Sequence, residues 1–183
     1  MEIVNHENAP TYTGLSRLFF ENPVDGDLWT IELVKLTGKW YASIVVVRGG
    51  TAQCRFCLTL AQYRQLVGAS QDITNRLTDM NNSESEEEQT GQVHYHFELC
   101  SAATYKIMVE LSIDQADDYI DLTVFTRKHL TDEYKRTRHS IRLDGGSWMM
   151  LLQQTEEFEK CVKFLEGFGD KLDGMPFWIC VFY

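Results

Sequence analysis

"YIDLTVFTRKHLTDEYKRTRHSIRLDGGSWMMLL", residues 119–152, decides the fold. Its first eight residues are rich in β-branched and aromatic side chains and read as a strand. A polar, charged stretch follows, and "HSIRL" then reads as a second strand. Beyond it the apolar spacing changes from two to three or four. Trp148, Leu151, Leu152, Phe158, Val162 and Leu165 mark one amphipathic helix, with Ser147 as its N-cap. Charge is concentrated in the same place. Arg127, Lys128, Lys135, Arg136, Arg138 and Arg142 face only Asp132 and Glu133, a local net of +4 in a chain whose formal net charge is -10.

Working outward, "VHYHFEL" and "YKIMVELSI" read as two more strands ahead of this stretch. The first half of the chain repeats the plan. "LWTIELVKLTGKWYASIVVVRGG" holds two β-rich runs joined by Thr37-Gly38, a hairpin signal. "CRFCLTL" is a further strand, and "TLAQYRQLVGASQDITNRL" a helix carrying Leu60, Tyr63, Leu66 and Val67, interrupted or recapped at Ser70 or Asp72. Offset by 85 positions, Phe56-Cys57-Leu58 lies on Ile141-Arg142-Leu143, Tyr63 on Trp148, Leu66 on Leu151 and Val67 on Leu152. A duplication of this kind governs the fold assignment. Between the halves, "MNNSESEEEQTGQ" is acidic and aperiodic and reads as a linker. The expected organisation is a first repeat over 15–79, the linker over 80–92, a second repeat over 93–168 and an apolar tail, "GMPFWICVFY" at its end, over 169–183.

Composition bounds the function. The 183 residues are 44% hydrophobic, enough for a real core in one domain or two very small ones. The negative balance argues against indiscriminate coating of nucleic acid or anionic membrane, while a local basic patch can still act. No run is apolar for long enough to span a bilayer. Five cysteines, and an N-terminus without a signal-peptide pattern, predict free thiols in a reducing compartment and no secretion. Cys54 and Cys57 have metal-like spacing, and His94, His96 and Cys100 share a neighbourhood, but no second pair completes four ligands. Buried thiols and surface histidines are the default reading, with no metal and no cofactor. Gly49-Gly50 and Gly145-Gly146 are too sparse for a phosphate cradle, and no nucleophile–histidine set has a recognisable local context. Catalysis is not expected.

The same stretch, 119–152, resembles the C-terminal domain of the transcriptional coactivator positive cofactor four. Tyr119–Leu122 are similar to its aliphatic strand, Thr137-Arg138-His139 stand at its Arg-Lys element, Ile141-Arg142-Leu143 at its last strand, and Trp148 with Leu151 and Leu152 at its helix start. "TGKWYASIVVV" and "CRFCLTLAQYRQLV" are similar to the corresponding parts of the family domain, with Tyr63 in place of Trp. The resemblance implies an α+β protein. Each repeat would be a curved four-stranded antiparallel sheet followed by a helix, and the two would pack as an intramolecular pseudo-dimer, as in the Pur-alpha family. It also implies single-stranded DNA or RNA binding, DNA in preference, in nuclear transcription or replication.

Single-strand binding needs cations along the phosphates and flat faces for the bases. Candidates for that role are Lys35, Lys39, Trp40 and Arg48 in the first repeat, and Lys106, Arg127, Lys128, Lys135, Arg136, Arg138 and Arg142 in the second. Arg142 is expected on the open face of its sheet, since Ile141 and Leu143 alternate with it. Trp148 reads as core, and Trp29 and Trp40 as core or stacking platform. Against the nucleic-acid reading stand Glu110, Asp114, Asp117, Asp118 and Asp121, acids on strands where the family carries bases. Glu110, Asp114, Asp117 and Asp121 favour an alternative, a protein–protein adaptor that keeps the fold and has lost the nucleic-acid surface. The apolar tail reads as packed on its own domain, or as a docking segment for a partner or a second copy.

Overall fold

The computed structural model describes residues 14–21, 28–48, 51–82, 93–114 and 117–168. The expected C-terminal tail, 169–183, and linker residues 83–92 lie outside the described residues. The architecture is α+β. Strands β1 (Gly14–Glu21), β2 (Leu28–Leu36), β3 (Lys39–Arg48) and β4 (Thr51–Thr59) form one antiparallel sheet in sequence order. Helices α1 (Leu60–Gly68) and α2 (Ser70–Asn82) follow. Strands β5 (Val93–Ser101), β6 (Tyr105–Asp114), β7 (Asp117–Thr126) and β8 (Lys135–Asp144) form the second sheet, also in sequence order, followed by α3 (Gly145–Gln153) and α4 (Thr155–Phe168). Among the described residues no helix is long and apolar enough to cross a membrane.

Local chemistry explains the element boundaries. Thr37 and Gly38 are the two loop residues between β2 and β3, with φ of 48° and 78°. Both are left-handed, as a two-residue turn between right-twisted strands requires. Glycine adopts that conformation freely and the β-branched Thr37 does not. Thr59 caps α1 in a reciprocal capping box: its hydroxyl accepts from the Gln62 N–H at 3.2 Å, and its own N–H donates to Gln62 Oε1 at 2.9 Å. The equivalent start of α3 corrects the expected N-cap. Asp144, not Ser147, has the extended backbone, and its Oδ1 accepts from the Ser147 N–H at 2.7 Å.

Two helices follow each sheet: in the first half the expected recapping at Ser70 is where α2 begins, while in the second half the single expected helix is broken. In the second half the break falls at Gln154, where Thr155 Oγ1 donates to the Leu151 carbonyl at 3.3 Å and competes with the backbone ladder. Glu156 and Glu157 then suit the start of a new helix through its dipole. The first half breaks at Ala69, 85 positions earlier. Met80, Asn81 and Asn82, read as linker, belong to α2. There Met80 continues the apolar stripe of Ile73 and Leu77 and packs against the core.

Period-two alternation sorts each strand. Ile31 and Leu33 of β2, Ala42 and Ile44 of β3, and Phe56 and Leu58 of β4 turn inward; Ile107, Val109, Ile120, Leu122, Ile141 and Leu143 do the same in the second sheet. All enter one continuous core that both halves share. The contacts between halves run both ways. Trp148 of α3 is buried and donates its indole N–H to Thr74 Oγ1 of α2 at 3.1 Å. Tyr63 of α1 packs on Phe158 of α4 with ring centroids 4.7 Å apart, and burial pushes its hydroxyl up to about 12, outweighing the Thr155 hydroxyl beside it. Arg64 of α1 reaches Glu159 and Glu166 of α4. At the sheets, His139 of β8 stacks on Phe56 of β4 at 5.1 Å.

Candidate nucleic-acid interface

Residues between the core-facing positions of the second sheet lie on its outer face, and strand register arranges them in cross-strand rows. Lys106, Phe125 and Arg136 form one row, Met108, Thr123 and Ser140 the next, and Glu110, Asp121 and Arg142 the third. Neighbouring rows are two residues, about 7 Å, apart along β6 and β7. The first row is cation–aromatic–cation. β8 contains extra residues between Arg136 and Ser140 that β7 does not match, a bulge that puts Arg136 opposite Phe125.

Tyr134 closes the end of the first row. The Lys106 ammonium lies 5.5 Å from the Phe125 ring centroid and 5.2 Å from that of Tyr134. Arg127 stacks over Tyr134 at 4.5 Å. Its guanidinium also donates to the carbonyls of Ala103 and Leu130, each at 2.8 Å, while the Tyr134 hydroxyl donates to Ala102 O at 2.7 Å. Arg127 therefore braces the β7–β8 connection to the β5–β6 connection. Lys128, Lys135 and Arg138 are exposed, and among the described residues their side chains have no ion-pair partner.

The third row is acidic and neutralised. Arg142 meets Asp121 in two parallel bonds, Nε to Oδ1 at 3.0 Å and Nη2 to Oδ2 at 2.8 Å, and its guanidinium lies 4.8 Å from the Tyr119 centroid. Arg136 reaches out of its own row: Nη1 lies 3.0 Å from Glu110 Oε2, and Nη2 donates to Thr123 Oγ1 at 3.3 Å on the way. Glu110 and Asp121 face each other directly across β6 and β7 and both are buried, so two like charges share this part of the face. The arginines offset that repulsion.

The first sheet carries the same device, and nothing in the sequence reading anticipates it. Glu32 of β2 is buried on the outer face and is held by Arg55 of β4 at 2.8 Å, with Arg55 also donating to Ser43 Oγ at 3.1 Å. The available signal was Glu32, an acid in the middle of the β-rich run "WTIELVKL". The first-repeat candidates do not join the second-sheet row. Lys35, two positions from the core residue Leu33, turns to the core-facing side of the other sheet, where its ammonium sits 5.6 Å from the centroid of Trp40, itself packed at the core margin. Lys39 is exposed at the start of β3. Arg48 ends β3 opposite Thr51.

The thiols are dispersed. Cys54 donates to the Ser140 carbonyl at 3.4 Å, Cys57 lies 3.7 Å from Ser43 Oγ, and Cys100 accepts from Gln62 at 3.1 Å. Burial raises the pKa of all three, which disfavours thiolate. Among the described residues no three histidine, cysteine or acidic side chains are grouped to hold a metal ion. The sequence matches no protein-family model and no curated protein.

Proposed function

We propose that this chain binds single-stranded nucleic acid, DNA in preference to RNA, on the outer face of the second sheet. The observation that carries the reading is the row Lys106–Phe125–Arg136 with Tyr134 beside it: the Lys106 ammonium lies against two flat rings at one end of the sheet's outer face, and Arg136 is rooted in the same row. Phosphates pair with the cations and bases stack on the rings. Lys128, Lys135 and Arg138 extend the positive track along the adjoining connection and strand. The role is non-enzymatic and nuclear, in transcription or replication. The acidic remainder of the chain discourages non-specific association.

The two halves form an intramolecular pseudo-dimer akin to the positive cofactor four and Pur-alpha arrangement. Equivalent caps at Thr59 and Asp144 support this, as do equivalent breaks at Ala69 and Gln154, each 85 positions apart. So do the reciprocal contacts of Tyr63 with α4 and Trp148 with α2. In this arrangement the first repeat is the structural partner, because its buried Glu32–Arg55 pair leaves little open charge on that face.

The test is fluorescence anisotropy with a labelled single-stranded oligonucleotide, a matched duplex and a salt titration. The expected result is single-strand preference with a log–log salt slope of about -2 to -3.5 for three to five phosphates. Loss of one cation by Lys106→Ala should reduce the slope by about 0.7. A second reading, a protein–protein adaptor, is favoured by the neutralised Glu110–Asp121–Arg142 row. It predicts no oligonucleotide binding even at low salt.

A further inference from the structure

We infer that Glu110 is a resident competitor for the Arg136 guanidinium, holding it away from the cation–aromatic row until a phosphate replaces the carboxylate. The inference rests on the nucleic-acid reading above and assigns how that site is regulated. Arg136 belongs by register to the row of Lys106 and Phe125, yet its side chain spans the next row to reach Glu110. The contact is short but poorly aligned. At 3.0 Å the charges are paired, while Glu110 Oε2, buried on the sheet, lacks a hydrogen bond of proper geometry. A phosphate oxygen offers the guanidinium what this carboxylate does not, a well-directed bidentate partner.

Comparison within the molecule shows why this pair and not the others. Glu32–Arg55 occupies the same strands of the first sheet, but its arginine side chain is only 17% exposed and is hydrogen-bonded to both Glu32 and Ser43. Arg142 is bidentate on Asp121 and stacked over Tyr119. Arg136 is 49% exposed with one misaligned ion pair and one bond to Thr123. It is the arginine of the three that can leave at least cost. Arg142 is accordingly a positioning residue that neutralises Asp121, and Arg136 the one that changes partner. In the resting state the face is self-neutralised, so a ligand must supply enough charge and stacking to displace Glu110.

The experiment measures anisotropy of a labelled oligothymidylate on wild-type protein, Glu110→Gln, Arg136→Ala and Asp121→Asn, with thermal unfolding of each. Glu110→Gln should tighten binding about three- to five-fold, the scale of a half-exposed ion pair. Arg136→Ala should weaken it, and Asp121→Asn should leave it within about two-fold. In wild-type protein the Arg136 Nε–H resonance should move on titration while that of Arg142 stays, a readout that does not depend on any variant folding. Unchanged affinity in Glu110→Gln, with Arg136→Ala still weakened, overturns the competitor role and leaves the nucleic-acid reading standing. A static Arg136 resonance under saturating oligonucleotide overturns it as well. Absence of binding by wild type and Glu110→Gln alike removes both.

Discussion

Replacing Arg142 by alanine tests whether that arginine belongs to the sheet or to a ligand. Its guanidinium is half-exposed, but the carboxylate it holds is not: the Asp121 side chain is 8% exposed and has Glu110 directly across the ladder. Breaking a fully buried pair costs about 3–5 kcal/mol, and an exposed pair is worth about 0.2–1 kcal/mol. One buried partner with a second acid beside it places Arg142→Ala between these limits, at about 2 kcal/mol. Loss of the contact with Tyr119 adds about 0.5 kcal/mol. For a chain of this size that lowers Tm by roughly 5–10 °C. The assay is thermal or urea unfolding at low salt. The double variant Asp121→Asn/Arg142→Ala should recover much of the loss, because removing both partners leaves no stranded charge. A single variant that keeps its Tm within about 2 °C and loses oligonucleotide affinity would refute the reasoning and make Arg142 a ligand contact.

Three further expectations concern the frame that holds the face. Tyr63 is an acid whose folded-state pKa is raised above its unfolded value, to about 12. Its stabilising neutral form is fully present below the unfolded pKa of about 10, and the stability is lost as pH rises from there through 12, by about 2–3 kcal/mol in all; Tyr63→Phe should flatten that part of the pH–stability curve in urea titrations. Thr37→Asn, at a left-handed turn position followed by Gly38, should raise stability by about 0.5–1 kcal/mol in the same measurement. Trp148→Phe removes the indole donor to Thr74 and leaves space in the shared core, so unfolding should move down by about 1–3 kcal/mol.

Where side-chain period and turn chemistry act locally, the sequence was sufficient. Thr37-Gly38 marks a two-residue turn, Ile141 and Leu143 enter the core with Arg142 between them, and Trp148 packs inside, all as pattern alone suggests. Of the two helix breaks one was legible: Ser70 signals the recapping that begins α2. Gln154 is an ordinary helix former, and the second break arises from side-chain competition at Thr155. The site was legible as a list of cations but not as a geometry. Charge counting treats Arg127, Arg136 and Arg142 alike. Strand register sends each to a different partner: backbone carbonyls, Glu110 and Asp121. Glu110 lies 26 positions from Arg136 and Asp121 lies 21 from Arg142, each on another strand, a separation that composition and local motif do not encode.

The most direct test of the central claim is to map which sheet a single strand touches, by titrating the isotope-labelled protein with an oligothymidylate and following backbone and side-chain resonances. Lys106, Phe125, Tyr134 and Arg136 should shift together and saturate, while Glu32, Ser43 and Arg55 hold still. Shifts centred on the first sheet, or none on either at low salt, would contradict it.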